Sequence, residues 1–298
     1  MKILIIGSCG FIGSNAVKYF SLHKNNEVFE CDVIQKQQQN YFVIENAQHD
    51  FNKIFAQHNF DVCINCSGLA NVQVSFQKPD LDFELNTLNL FLILNSIKNN
   101  NPNCKFINFS SAAVYGNPAK LPISESDAVK PLSPYGQHKY YSEQICKEFH
   151  TFFGVPTCSL RVFSAYGERL TKQLFWDLYQ KQKLTPIVNL FGTGTETRDF
   201  IYIQDLLFAV DCVINNALFS GECINLASGI EIKIAEIANM FVQNFSKQNQ
   251  IVFTGEIKIG DPQNWCADIS YLKNLGFTTK VSMQEGLSNY AKWIKEME

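Results

Sequence analysis

Hydrophobic and polar positions follow two different periods along the first 32 residues of the chain. Ile3–Ile6 is an uninterrupted apolar run, which is typical of a strand buried on both faces. Apolar residues then recur at helical spacing, so a helix is predicted to open inside the segment Gly7–Gly13. A second apolar segment, Val28–Phe29, leads to Asp32. The order strand, glycine turn, helix, strand and acid predicts a βαβ unit.

The alternation of strands and helices continues along the chain. Helices are predicted at Phe51–Phe60, Pro79–Asn101 and Ser133–Gly154, and strands at Asp61–Cys66, Cys104–Phe109 and Thr157–Phe163. After Ser164 the pattern loosens. The later helices are predicted at Leu174–Lys181, Asp205–Asn215, Lys233–Gln248 and Ser270–Gly276, and the later strands at Ile187–Leu190, Phe200–Ile203 and Glu222–Leu226. The pattern indicates an α/β fold, a Rossmann-type doubly wound parallel sheet with a smaller C-terminal α/β domain.

The glycine turn and the acid predict a dinucleotide site. Gly7, Gly10 and Gly13 let the backbone approach a pyrophosphate, and the helix N-terminus offers unpaired N–H groups to the anion. Asp32 follows about twenty residues later, where a carboxylate accepts hydrogen bonds from a ribose 2′-hydroxyl. Because a 2′-phosphate would meet like charge there, NAD is favoured over NADP. We expect an NAD-binding domain at 1–165, to which elements near 200–225 return, and a mainly substrate-binding domain at 166–298.

Composition narrows the class of protein. The chain has 298 residues, 46% of them hydrophobic, and a net charge of −3, so nothing indicates a nucleic-acid partner. No apolar run approaches the ~18 residues of a membrane span, and the expected location is the cytoplasm. The ten cysteines are scattered. Cys63 and Cys66 form a CxxC, but on a strand they point to opposite faces, so buried thiols are expected and no metal site.

Polar side chains at two later positions predict hydride-transfer chemistry. Ser110 and Ser111 end the fourth strand, at the sheet edge where such folds bind ligands. Tyr135 and Lys139 lie four residues apart at the start of a helix and so share one helix face. We expect Lys139 and a cationic nicotinamide to lower the pKa of Tyr135 from about ten toward neutrality. Tyr135 then takes a proton from a substrate hydroxyl, to which Ser111 hydrogen-bonds.

His138 lies between Tyr135 and Lys139 and is expected on the surface, because adjacent helix positions do not face each other. A YxxxK pair or a serine pair alone also occurs on ordinary helices and turns. The glycine turn, acid, serines and YxxxK in this order favour the catalytic interpretation.

The chain resembles the extended short-chain dehydrogenase/reductases, specifically their NAD-dependent nucleotide-sugar epimerase/dehydratase group. The resemblance covers essentially the whole chain. It rests on five motifs, which are GSCGFIG (Gly7–Gly13), SSAAVYG (Ser110–Gly116), PYGQHK (Pro134–Lys139), LRVFSAYG (Leu160–Gly167) and GTGTETRDFIYIQDL (Gly192–Leu206).

The resemblance implies roles for individual residues. Catalysis is assigned to Ser111, Tyr135 and Lys139. Cofactor binding is assigned to Gly7, Gly10, Phe11, Ile12, Gly13, Asp32, Asp50, Phe51, Cys66, Ser67, Gly68, Tyr135, Lys139 and Phe163, with Asp50 and Phe51 at the adenine. Substrate binding is assigned to Ser111, Ser164, Gln173, Leu174, Arg198 and Lys258, with Arg198 as the pyrophosphate clamp. The chain departs from the family pattern at Ile6, Ser164 and Lys258, where threonine, asparagine and arginine are usual.

The residues after Ser111 discriminate between reactions. The 4,6-dehydratases of the family carry Asp-Glu there, and the decarboxylases usually keep a glutamate. Ala112 and Ala113 offer neither an acid nor a base, so both reactions are disfavoured. A 4-epimerase acting on a UDP- or dTDP-hexose is the preferred interpretation, in keeping with polysaccharide synthesis. An NAD(P)H-dependent 4-ketoreductase fits the same residues, and a non-catalytic NAD-binding regulator is a remote third interpretation. The resemblance also implies a homodimer, joined through the helices Pro79–Asn101 and Ser133–Gly154.

Overall fold

The central element of the computed structural model is a seven-stranded, entirely parallel sheet. The structure describes residues 1–44, 50–245, 249–256 and 259–297. The strands of this sheet are β1 (Lys2–Ile6), β2 (Glu27–Asp32), β3 (Tyr41–Val43), β4 (Val62–Asn65), β5 (Lys105–Ser111), β6 (Thr157–Val162) and β10 (Ser220–Leu226). Their order is β10-β6-β5-β4-β1-β2-β3. The order reverses between β1 and β4, where doubly wound sheets form their ligand crevice. The predicted fold class is confirmed.

Helices cover both faces of the sheet. They are α1 (Phe11–Ser21), α2 (Asn52–Gln57), α3 (Val72–Gln77), α4 (Pro79–Phe83), α5 (Asn89–Asn100), α6 (Pro134–Phe153), α7 (Gln173–Leu184), α8 (Ile203–Asn216), α9 (Ile234–Val242), α10 (Ser270–Asn274) and α11 (Met283–Glu296). Strand β1 shows why both faces are covered. Ile3 and Ile5 belong to one hydrophobic cluster, and Leu4 and Ile6 belong to the other. None of the described helices is long and apolar enough to cross a bilayer.

Two small sheets lie in the C-terminal part. One contains β7 (Ser164–Tyr166), β9 (Thr197–Tyr202) and β11 (Glu231–Lys233), and the other pairs β8 (Ile187–Leu190) with β12 (Gln250–Phe253). Strand β10 lies at the edge of the main sheet, and α8 packs against α1. Elements of the C-terminal part therefore cover and extend the main sheet.

Several predicted boundaries were wrong. The long helix expected over Pro79–Asn101 is α4 and α5 joined by a π-helical turn, Glu84–Leu88. Four strands (β3, β7, β11 and β12) and two helices (α3 and α11) were not predicted. The buried residues of α11 nevertheless recur at helical spacing (Leu287, Tyr290, Ala291 and Ile294). The helix expected at Lys233–Gln248 ends at Val242, and residues 246–248 lie outside the described part of the chain.

Candidate active site

The turn after β1 has room for nothing larger than glycine at two positions. Gly7 has a φ of +76°, and a Cβ there would lie 2.7 Å from the Ser67 nitrogen. A Cβ at Gly13 would lie 2.1 Å from the Gly7 oxygen. The backbone at the start of α1 therefore lies directly against the residues that follow β1 and β4. Gly10 caps α1 without a side-chain hydrogen bond, and no acidic residue lies in the first turn. The helix N-terminus therefore suits an anion such as a pyrophosphate.

Two more observations fit a dinucleotide at this turn. Asp32 ends β2, and its carboxylate accepts hydrogen bonds from the Cys9 nitrogen at 2.8 Å and the Val33 nitrogen at 2.8 Å. The carboxylate is thereby fixed beside the glycine turn, where the sequence analysis expects a ribose. The hydroxyl of Ser8 in the same turn is buried, and it has no hydrogen-bond partner within the described part of the chain. The chain's own residues thus form a cradle that suits NAD.

The other predicted cofactor residues lie at the start of α2 and in the loop after β4. Phe51 is buried in the second hydrophobic cluster, whereas Asp50 is exposed and accepts a hydrogen bond from the Asn52 nitrogen. Cys66–Gly68 follows β4. Gly68 has a φ of +124°, and a Cβ there would lie 2.6 Å from Asn86 Oδ1 and 3.5 Å from Lys139 Nζ. The loop that follows β4, Cys66–Ala70, is here named the cofactor loop, and at Gly68 it approaches Lys139 of α6.

The structure brings Ser111, Tyr135 and Lys139 together at the carboxyl end of β5. Helix α6 begins directly after Ser133, whose Oγ accepts a hydrogen bond from the Gly136 nitrogen at 3.1 Å. This cap fixes the first turn of α6, which carries Tyr135. The Tyr135 hydroxyl hydrogen-bonds with Ser111, and Lys139 Nζ lies 6.0 Å from the centre of the Tyr135 ring.

Lys139 is held by the backbone of β5. Its ammonium is buried and donates a hydrogen bond of 2.8 Å to the Phe109 carbonyl. Burial lowers the pKa of Lys139 to about 8, because removal from water disfavours the charged form.

The predicted lowering of the Tyr135 pKa depends on a cationic nicotinamide beside the phenol and stays a prediction, because the residues of the chain alone have the opposite effect. Burial raises the pKa of Tyr135 to about 12, and the hydrogen bond with Ser111 only partly opposes it. The physical reason is that desolvation of a phenolate outweighs the polar contacts that the protein supplies. A cationic group next to the phenol acts in the opposite direction.

His138 is not the surface residue that the sequence analysis expected. Its side chain is 12% exposed, and Nδ1 lies 2.6 Å from Oδ2 of Asp82, which is fully buried. The prediction failed because α4 packs against α6 and covers that face. Asp82 and its neighbour Asn86 were missed altogether. One signal was available, because both are polar residues placed among the apolar positions of the predicted helix Pro79–Asn101.

Two of the predicted site residues, Phe163 and Arg198, lie against a tryptophan that was not predicted. The Phe163 ring meets Trp265 edge-to-face at 5.8 Å, and the Arg198 guanidinium lies 5.5 Å from the Trp265 ring centre. Ser164 begins β7. Gln173, with a φ of +67°, and Leu174 begin α7. Lys258 lies outside the described residues.

Arg198 is bound to backbone carbonyls. Its Nη1 donates to the oxygens of Thr197 at 2.8 Å and Gln263 at 3.1 Å, and its Nη2 donates to that of Pro262 at 2.8 Å. Burial lowers the pKa of Arg198. Arg198 therefore holds the segment 262–263 in place, and the pyrophosphate contact implied by the resemblance stays a prediction.

Comparisons with known proteins agree with this geometry. The family model described as "NAD dependent epimerase/dehydratase family" matches residues 3–227. A putative UDP-glucose 4-epimerase of Methanocaldococcus jannaschii is 26% identical over 307 residues, covering 98% of each chain. The crystal structure of UDP-glucuronic acid 4-epimerase from Bacillus cereus, in complex with UDP-glucuronic acid and NAD, is 27% identical with a TM-score of 0.89, and each chain is covered completely.

A third relative extends the range of sugars. UDP-N-acetylglucosamine 4-epimerase from Methanobrevibacter ruminantium M1, in complex with UDP-N-acetylmuramic acid, is 25% identical with a TM-score of 0.88, covering 100% of this chain and 99% of that one. The family is NAD dependent, so the prediction of NAD as the cofactor is confirmed.

Proposed function

The chain belongs to the NAD dependent epimerase/dehydratase family, and from that membership we propose that it is an enzyme interconverting the C4 epimers of a UDP-hexose. The observation that carries the proposal is the cluster of Ser111, Tyr135 and Lys139 beside the cofactor loop, with no acid following Ser111. The UDP-sugar 4-epimerases among its relatives support UDP as the nucleotide.

The proposed reaction uses three side chains. NAD, held by the glycine turn after β1 and by Asp32, would supply the hydride acceptor and donor for C4 of the sugar. Tyr135 removes the proton of the sugar O4 as the C4–H bond breaks, leaving a 4-keto sugar, and returns this proton when the C4–H bond re-forms. Ser111 hydrogen-bonds the same oxygen, where the charge changes. Lys139 stays anchored to the Phe109 carbonyl and presents its positive charge to the site.

The residues after Ser111 oppose elimination of water. Ala112 is buried, and the 3₁₀ turn Ala112–Val114 is capped by Ser111, whose Oγ accepts a hydrogen bond from the Ala113 nitrogen at 3.1 Å. Neither methyl group transfers protons. We therefore expect no 4-keto-6-deoxy product from a nucleotide hexose.

The two parts of the chain divide the work in this proposal. Residues 1–165 bind NAD, and residues 166–298 mainly bind the nucleotide sugar through Ser164, Gln173, Leu174 and Arg198. All ten cysteines are unpaired thiols, which supports a reducing compartment such as the cytoplasm.

We also propose that the enzyme acts as a homodimer. Helices α5 and α6 pack together, and large apolar side chains on and beside them face solvent. They are 38% to 74% exposed, and they are Phe83, Leu88, Phe91, Tyr141, Phe152 and Phe153. A second copy of the chain would cover these exposed apolar side chains. Sedimentation analysis distinguishes such a dimer from a monomer.

Incubation with single UDP-sugars tests the function. The protein is mixed with NAD and with UDP-glucose, UDP-glucuronic acid or UDP-N-acetylglucosamine, and the sugar is followed by proton NMR. The expected result is the C4 epimer of one sugar without net NADH. One-for-one consumption of NADH or NADPH with a 4-keto sugar would establish the reductase instead. Retention of NAD without turnover of any of these or of dTDP-hexoses would favour the non-catalytic interpretation.

A further inference from the structure

A buried pair of ionisable side chains lies next to the catalytic residues. Asp82 on α4 has no exposed surface, and its Oδ2 lies 2.6 Å from Nδ1 of His138 on α6. Its other oxygen, Oδ1, accepts a hydrogen bond of 3.1 Å from the Asn86 amide. A carboxylate removed from water needs such partners on both oxygens, and here they come from two different elements.

The Asn86 amide extends this contact to the cofactor loop. Asn86 lies in the π-helical turn between α4 and α5. It donates to the Leu69 carbonyl at 3.0 Å and accepts from the Leu69 nitrogen at 3.2 Å. Both backbone groups of Leu69 are therefore fixed. The π turn interrupts the helix where Asn86 must reach this loop, and such turns are frequent at functional sites.

The other end of the pair is joined to the catalytic helix. His138 directly precedes Lys139, and the Thr87 hydroxyl of the π turn donates to the His138 carbonyl at 3.1 Å. The π turn and α4 thus hold both the backbone and the ring of His138. A chain of hydrogen bonds therefore runs from His138 through Asp82 and Asn86 to Leu69, which follows Gly68 in the cofactor loop.

We propose that Asp82 and His138 form a buried counter-ion pair that positions Tyr135 and Lys139 against the cofactor loop. The inference rests on the proposed function of these two catalytic residues. Asp82 and His138 act through other groups and are positioning residues. The His138 ring lies 2.6 Å from the Asp82 carboxylate, so the contact holds α4 and α6 together and places a partner opposite the carboxylate beside the reacting phenol.

The neighbouring charges agree with this role. Burial dominates the pKa of Tyr135 and of Lys139, and the Asp82 carboxylate raises both. The other titratable groups that face Lys139 are Cys66, Cys146 and Glu143. Burial raises the pKa of both thiols, which are therefore neutral. Glu143 is bonded to Arg161 at 2.8 Å. Among these groups, Asp82 is therefore the carboxylate whose pairing with His138 decides how strongly it raises the pKa of Tyr135 and of Lys139.

The pH dependence of turnover tests the pair. In the variant His138→Gln, kcat/KM is measured as a function of pH. The substrate is UDP-glucuronic acid or whichever of the three UDP-sugars the wild type converts. Because the carboxylate is then unpaired, both limbs of the profile are expected to move to higher pH by about one unit. In the double variant Asp82→Asn, His138→Gln both charges are gone, and the limbs should return to within a few tenths of a unit of the wild type.

Controls separate charge from folding. His150→Gln makes the same replacement further along α6 and should leave the profile unchanged. The ionisation of Tyr135 can also be followed without turnover, by the tyrosinate absorbance of each protein minus that of its Tyr135→Phe counterpart. The midpoint of this titration should move by the same amount as the limbs of the pH profile. If His138→Gln does not fold, the titration of Tyr135 is measured in the double variant instead. A midpoint equal to that of the wild type supports the pair, and a displaced midpoint overturns it.

The failure of this inference is distinguishable from failure of the proposed function. An inactive Tyr135→Phe enzyme combined with an unmoved profile in His138→Gln overturns only the counter-ion pair. A double variant whose limbs remain as displaced as those of the single variant does the same. Turnover that survives in Tyr135→Phe overturns the function.

Discussion

The two parts of the chain use their buried polar side chains differently. Around the carboxyl end of β5, Lys139, Tyr135 and Asp82 meet other side chains or single carbonyls, and the reactive atoms are held in water-poor surroundings. In the C-terminal part, Asp199 and Arg198 bind the backbone of loops. The Asp199 carboxylate accepts from the Ser228, Gly229 and Ala267 nitrogens at 2.9, 3.0 and 3.1 Å.

The difference shows what each part requires. The part around β5 and α6, which carries the candidate catalytic residues, is built on long elements, so fewer of its polar side chains are needed to hold loops. The C-terminal part has short strands and many turns, so its polar groups supply the architecture itself. Removing a polar side chain should therefore abolish chemistry without unfolding the protein in the first part, whereas in the second part it should loosen loops or lower stability.

Tyr135→Phe should have the largest effect on chemistry. The ring stays but the proton acceptor is lost, so kcat is expected to fall by about 10³-fold or more. NAD content of the purified protein, measured by absorbance after denaturation, and the unfolding midpoint should both remain close to the wild type. A large loss of stability together with residual turnover would contradict the view that Tyr135 serves chemistry and not the architecture of the first part.

Asp199→Ala tests the opposite side. Three buried backbone N–H groups lose their acceptor, so the free energy of unfolding is expected to fall by about 3 kcal/mol or more. Chemical denaturation measures this loss, and kcat of the folded fraction should stay within a few-fold of the wild type. The matched control is Asp177→Ala, which removes an exposed ion pair with Lys181 and should change stability by less than about 1 kcal/mol.

Lys139→Met should stabilise the protein while abolishing its activity. The pKa of Lys139 is about 8 in the folded protein and about 10.4 in an unfolded chain. The folded state therefore binds fewer protons between these values, and wild-type stability rises with pH across that window. Below pH ~8 the buried ammonium destabilises the folded wild type by on the order of 3 kcal/mol. Lys139→Met removes this cost but also loses the hydrogen bond to Phe109, which is worth about 1 kcal/mol.

The pH dependence identifies the origin of that gain. The advantage of Lys139→Met is expected at pH 7 and should shrink as the pH approaches ~10.4, as measured by denaturation at several pH values. An advantage that is constant with pH would assign the gain to packing and not to the buried ammonium.

Arg198→Lys should have the smallest of these effects. A lysine ammonium lacks the planar fork that reaches Pro262 and Gln263 together, so the segment 262–263 loosens. KM for the UDP-sugar should rise about tenfold, roughly 1.4 kcal/mol, with kcat within about twofold. An unchanged KM would remove Arg198 from substrate binding and leave it a purely architectural role.

Much of the fold and part of the site could be predicted because they are written locally. The glycine turn and the i, i+4 pair of Tyr135 and Lys139 need only short stretches of chain. The π turn, Trp265 and the Asp82–His138 contact were missed because each depends on residues far apart in sequence. The position of His138 on α6 could not show that α4 covers it.

The sequence by itself was enough to predict the parallel α/β fold, NAD as the cofactor and Ser111, Tyr135 and Lys139 as candidate catalytic residues, because apolar period and local spacing carry that information. Tertiary structure alone decided the surroundings of these groups. Burial depends on which elements pack together, and it raises the pKa of Tyr135 while it lowers that of Lys139. Desolvation acts on the whole packed site, and no short stretch of chain encodes it.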